Sequence, residues 1–299
     1  MINRFLDYVE LKTKITSIFV FLMSIAFLLY SKESINLKLT IIFFIAMFVF
    51  DLTTTAINNY IDTKDNHQTL QFPRKIALTI IYILFSISAG LGLYLAYSTD
   101  LVVLLIGGLC FLCGVCYTYG PIPISRLPLG ECISGFFYGF MIPFIIFYIN
   151  MPSGSLVDLN VNFTTISLDL KLIPIFKLLL ISVIPFCVTA NIMLANNICD
   201  LDKDILVKRH TLPYYIGKHS LTLFAGLYYV TYVVTIIMVV LKIFHPISLL
   251  SIFTIFIVRK NINAFKKQQE KSITFILAIK NYIIIMGSNT VLIFISLLM

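Results

Sequence analysis

The chain has 299 residues, 59% of them apolar and only 12% Asp, Glu, Lys or Arg, with a mean hydropathy of +0.97 and a formal net charge of +8. A soluble domain carries about 25% charged residues, so a soluble globule is excluded. At about 20 apolar residues per spanning helix, the chain is used up by a polytopic membrane protein with short connections.

In chain order, apolar runs predict helices over 15–30, 39–58, 76–97, 101–118, 132–149, 173–198, 220–241, 246–258 and 275–298. The result is an all-α membrane protein of about nine transmembrane helices, read as one polytopic unit over 1–299. Asp7 and Glu10 interrupt the amino-terminal segment, which lacks the order of a signal peptide, so the first span is expected to remain in the mature protein. The run at 246–258 is short for a span and is expected to tilt little, to be partly sheltered, or to extend into its flanks. The cysteines sit mostly in apolar runs, and Cys113-x-x-Cys116 lacks the further ligands a zinc site needs; they read as small packing residues.

With nine spans the connections alternate sides, and sixteen of the 22 Lys and Arg fall on the side of the amino terminus, against four on the other. The positive-inside rule then predicts a multi-pass plasma-membrane protein with a cytoplasmic amino terminus and an external carboxyl terminus. Its basic residues are spread over loops and lie beside lipid headgroups, with no arm for nucleic acid. The run Lys266-Lys267-Gln268-Gln269-Glu270-Lys271 reads as a solvated connection.

Five of the 14 acidic residues lie in two places, Asp62 and Asp65 at the end of the second helix and Asp200, Asp202 and Asp204 at the end of the sixth. At 3.6 residues per turn, Asn58, Asp62 and Asn66 share a helical face, with Asp51 and Thr55 further along it; Asn196, Asp200 and Asp204 do the same. The stretches Asn58-Asn59-Tyr60-Ile61-Asp62 and Asn196-Asn197-Ile198-Cys199-Asp200 share Asn-Asn-x-x-Asp. Four spans separate their helices, as in a parallel internal repeat, a pseudo-repeat of two four-helix halves with both acidic ends facing one central cavity. Acids at a membrane edge pair with cations, and magnesium is typically held by one or two carboxylates and its substrate's phosphates. Two such clusters therefore imply a diphosphate bound between them.

These stretches resemble the UbiA superfamily of intramembrane prenyltransferases, whose members carry Asn-Asp-x-x-Asp-x-x-x-Asp after the second helix and Asp-x-x-x-Asp after the sixth. Lys208-Arg209-His210-Thr211-Leu212, Tyr117-Thr118-Tyr119-Gly120-Pro121-Ile122-Pro123 and Lys12-Thr13-Lys14 are also similar to family segments. The first motif departs from the pattern: Asn59 and Asn66 replace two of its acids, and Asp65 is displaced by one residue. This removes carboxylate charge from the first half-site.

The resemblance implies nine helices around a cavity open to lipid, a polyprenyl diphosphate donor and an aromatic acceptor. It also implies Mg2+ held by Asp62, Asp65, Asn66, Asp200 and Asp204. Asp62, Asp200 and Asp204 take the catalytic role, and Asn58, Asn59, Lys64, Tyr117, Asn197, Lys208 and Arg209 the substrate-binding one. Tyr60, Tyr117 and Tyr119 are either cation shields or residues of an interfacial belt. The first motif and the Gly-Pro-x-Pro loop look most like the branch that prenylates 1,4-dihydroxy-2-naphthoate in menaquinone synthesis, with 4-hydroxybenzoate as an alternative acceptor. Two other readings stay open at this point: a transporter using the acids for a coupling cation, and an isoprenyl-diphosphate-binding protein without turnover.

Overall fold

The computed structural model describes residues 1–65, 69–120 and 123–299, with Lys64 and Asp65 described by their backbone alone. A short helix α1 (Ile2–Tyr8) precedes the spans α2 (Leu11–Tyr30), α3 (Leu37–Asp65), α4 (Arg74–Tyr97) and α5 (Leu101–Cys116). After α6 (Gly130–Asn150) comes a hairpin of β1 (Val157–Val161) and β2 (Ile166–Leu170), then α7 (Leu172–Cys199). Short helices α8 (Leu201–Leu206) and α9 (Leu212–Ile216) lead into α10 (His219–Val240), α11 (Pro246–Lys267) and α12 (Phe275–Ser296).

Eight of these helices are long and apolar enough to cross a membrane, and α5 is a shorter apolar helix of 16 residues, so the described residues carry the nine helices expected. The antiparallel hairpin, in register Val157↔Leu170, is the one departure from an all-helical chain among the described residues. The segment expected to be short is longer: α11 starts as a 3-10 helix over Pro246–Thr254 and continues as an α-helix to Lys267. Val258, Ile262 and Phe265 repeat at i, i+4, i+7 and are buried, while Arg259, Lys260 and Lys266 point outward. That amphipathic period continues the helix beyond the apolar run.

The bundle closes where the last span meets the first, with Tyr282 Oη donating to Thr16 O at 2.6 Å. Nearby, Phe27 of α2 stacks on Phe147 of α6 at 5.6 Å. A tight crossing joins α6 to α7. Residues Phe137–Met141 form a π turn within α6, and Pro185 interrupts α7; a Cβ at Gly139 would lie 2.3 Å from Phe186 N. Only a residue without a side chain lets the two backbones approach so closely.

Candidate active site

On α3, Asp51, Thr55, Asn58 and Asp62 follow one another at intervals of four, three and four, which sets them in a single stripe along the helix. The stripe runs along a cavity of about 330 Å3 whose wall is mainly apolar, formed by Phe43, Phe50, Phe111, Phe137, Met141 and Met193 among others, with Asn58 and Tyr117 also lining it. Asp62 lies one turn further along α3, past the lining residues, at the end of the cavity marked by Asn58, which serves here as its mouth.

The second acidic stretch reaches the same mouth by a change of direction. Asp200 ends α7, and Asp204 N donates to Asp200 O at 2.8 Å, starting the short α8. Lys208 adopts a left-handed backbone, φ +57°. Arg209 follows, its N–H donating to Asp204 O at 2.8 Å and its side chain turned inward. Arg209 Nη1 lies 3.8 Å from Asp62 Oδ2, and Nε lies 3.9 Å from Asp204 Oδ1. One guanidinium thus spans both acidic helix ends, which places them on the same side of the bundle, 138 residues apart in sequence. Asp200 pairs with Lys271, so a residue from the run expected to be a solvated connection enters the site.

Burial pushes the Asp204 carboxyl above the usual carboxylate range, and neighbouring Asp200 and Asp62 push the same way, while Arg209 and Lys271 oppose them. The buried Arg209 Nε has no hydrogen-bond partner. Such an orphan donor is costly unless an acceptor arrives.

The other expected site residues divide into two groups. Asn58 Oδ1 accepts from Thr118 Oγ1, Tyr117 Oη accepts from Ser134 Oγ at 3.3 Å, and Asn197 Nδ2 donates to Glu131 Oε1 at 2.8 Å. Asn58 and Tyr117 line the cavity, while Asn197 is buried against Glu131. Asn59 does not join them: its Nδ2 donates to Tyr8 O at 2.8 Å and Glu10 Oε1 at 3.3 Å. One residue along a helix turns the side chain by about 100°, so Asn59 faces the amino-terminal segment instead of the cavity. Lys208 is exposed, and its left-handed turn serves to aim Arg209. Asn66 and the side chains of Lys64 and Asp65 lie outside the described residues. Glu131 and Lys271 were not legible as site members; Glu131 stands near the start of an apolar run, and its only signal is a buried carboxylate cost that some partner must offset.

Among the described residues no three Asp, Glu, His or Cys side chains converge to cage a metal. Magnesium does not require such a cage when phosphates complete its shell. The donor set suits that case, with three carboxylates at one mouth, two cations beside them and an orphan N–H that calls for an anion.

Residues 18–281 match the family model of the UbiA prenyltransferase family. The chain belongs to the UbiA prenyltransferase family. This UbiA chain is similar to a 1,4-dihydroxy-2-naphthoate octaprenyltransferase of Bacillus subtilis (strain 168), 27% identical over 264 residues that span 82% of the chain and 77% of the relative. It has the fold of the apo structure of a UbiA homolog from Aeropyrum pernix K1, with a TM-score of 0.65 at 16% identity, covering 91% of this chain and 96% of that one. A UbiA homolog from Archaeoglobus fulgidus bound to GPP and Mg2+ gives a TM-score of 0.61 at 12% identity, covering 99% and 100%.

Proposed function

We propose that this UbiA-family protein transfers a polyprenyl group from an isoprenyl diphosphate to 1,4-dihydroxy-2-naphthoate, at the cytoplasmic face of the plasma membrane, with residues 1–299 acting as one unit. The observation that carries the reading is Arg209 spanning Asp62 and Asp204 at the mouth of an apolar cavity. The Archaeoglobus relative that binds GPP and Mg2+ supports the donor class, and the naphthoate octaprenyltransferase supports the acceptor. The basic bias of the loops at this end supports its cytoplasmic side.

Asp62, Asp200 and Asp204 are the residues that would hold Mg2+ against the donor's diphosphate. Bound there, the metal supplies Lewis-acid stabilisation of charge on the departing diphosphate. Arg209, whose buried Nε–H has no hydrogen-bond partner, would donate to a phosphate oxygen of the donor and stabilise the charge that develops there. The allylic C–O bond breaks with its electron pair leaving on the diphosphate; the electron-rich ring carbon that bears the acceptor's carboxylate then forms the new C–C bond, and that carboxylate leaves as CO2, its bonding pair returning to the ring. Phe50, Phe111 and Phe137 wall the cavity and keep water from capturing the prenyl cation. Asn58 and Tyr117 supply polar groups to the cavity wall.

The test uses purified protein in liposomes with a polyprenyl diphosphate and 1,4-dihydroxy-2-naphthoate, with and without magnesium, alongside Asp200→Asn. Magnesium-dependent prenylated, decarboxylated naphthoquinol that disappears in the variant is the expected result. Absence of any such product from the unaltered protein overturns the acceptor assignment.

A further inference from the structure

Deeper in the cavity the α3 stripe ends in a charged pair that diphosphate chemistry does not use. Lys14, at the start of α2, is 3% exposed and Asp51 is 6% exposed, with Lys14 Nζ 2.8 Å from Asp51 Oδ1. Lys14 also donates to Thr55 Oγ1. Ser17 Oγ donates to Asp51 Oδ2 at 2.7 Å, and Tyr138 Oη donates to Oδ1 at 2.7 Å. Tyr138 belongs to the π turn of α6, a distortion that recurs at functional sites. All five side chains line the cavity.

Holding helices together is a weak reason for this arrangement, because a buried ion pair is often no more stabilising than apolar residues of the same volume. Ionisable groups inside a membrane protein more often mark a ligand path. The accounting of donors and acceptors indicates which ligand. Lys14 has three N–H donors and uses two; a carboxylate offers about four acceptor positions, and Asp51 uses three. The wall therefore presents one spare donor beside one spare acceptor, with no net charge. A hydroxyl fills both. A carboxylate fills only the donor and would leave a net negative charge in an apolar cavity, at high cost. The rise of α3 puts Asp51 about 10 Å from Asn58 and about 16 Å from Asp62, room for a two-ring aromatic between the pair and the mouth.

We infer that Lys14 and Asp51 seat a ring hydroxyl of the aromatic acceptor, turning its carboxylate-bearing edge toward the mouth where the donor's allylic carbon lies. This rests on the proposed prenyl transfer and adds to it a pair of positioning residues that select hydroxylated rings.

The experiment measures binding and steady-state kinetics for the full chain in nanodiscs with 1,4-dihydroxy-2-naphthoate and with 1-hydroxy-2-naphthoate, which lacks the distal hydroxyl. Lys14→Met and Asp51→Asn are compared with the double variant Lys14→Met/Asp51→Leu, which leaves no unpaired buried charge and keeps the test open if either single variant misfolds. Unaltered protein is expected to bind the dihydroxy compound at least tenfold more tightly. In the double variant that preference falls to near one, acceptor KM rises at least tenfold and donor KM stays within twofold. Retention of the full preference by the double variant overturns the inference while leaving prenyl transfer intact. If the unaltered protein neither binds nor prenylates either naphthoate, the acceptor reading fails and the inference falls with it.

Discussion

On the proposed function, one guanidinium both competes with a metal for the carboxylates and assists the departing diphosphate, so replacing Arg209 with Met tests the two roles apart. The guanidinium stands 3.8 Å from Asp62 and 3.9 Å from Asp204. A unit pair at that distance interacts by about 4 kcal/mol at an effective dielectric of about 20. The Arg209 and Asp62 side chains are 20% and 37% exposed, so solvent screening reduces this to about 1–2 kcal/mol. Removing the cation leaves the carboxylates more negative, and Mg2+ binding without diphosphate should tighten by about tenfold, the equivalent of about 1.4 kcal/mol. Turnover should move the other way. The variant lacks a charged donor aimed at the departing diphosphate, a loss worth about 10²–10³ in kcat. Calorimetric titration of Mg2+ into detergent-solubilised protein, paired with a prenyl-transfer assay at saturating acceptor, reads both signs. Unchanged or weaker Mg2+ affinity together with turnover within threefold of the unaltered protein would refute the argument.

Asp204→Asn should abolish transfer and yet stabilise the ligand-free protein. Burial holds this carboxyl above its usual range, so its contribution to stability is present at low pH and lost as pH rises through the raised value; the melting-temperature advantage of the variant over unaltered protein should be larger at pH 8 than at pH 5. Gly139→Ala should lower the melting temperature through overpacking against Phe186 N at 2.3 Å, at a cost of about 3 kcal/mol, and a melting temperature equal to that of the unaltered protein would show that the α6–α7 crossing is looser than described. Asn59→Ala should loosen the amino-terminal segment by about 1 kcal/mol, seen as faster hydrogen exchange in residues 2–10; unaltered exchange there would mean that Asn59 does not tether it.

Most of the fold was legible because membrane spans obey a one-dimensional rule. The apolar runs at 76–97 and 220–241 coincide with α4 and α10 to within two residues, since each helix satisfies its own backbone and needs only length and hydropathy. The departures occur where neighbours decide: α11 continues nine residues past its apolar run on an amphipathic period, and the hairpin between α6 and α7 depends on pairing between two strands.

The site divides in the same way. Helical periodicity placed Asp51, Thr55, Asn58 and Asp62 on one stripe from their spacing, and the repeated Asn-Asn-x-x-Asp pointed to a second acidic end. Those properties are local, fixed by 3.6 residues per turn. Tertiary structure alone decided that Arg209, and not exposed Lys208, reaches both acids; that Lys271 crosses to Asp200; and that Asn59 turns toward Tyr8. It also decided that Lys14, by sequence a flanking basic residue, is buried on Asp51 beside Tyr138. A charged side chain takes its role from the partner that compensates its desolvation, and that partner lies tens to hundreds of residues away, where no local period can name it.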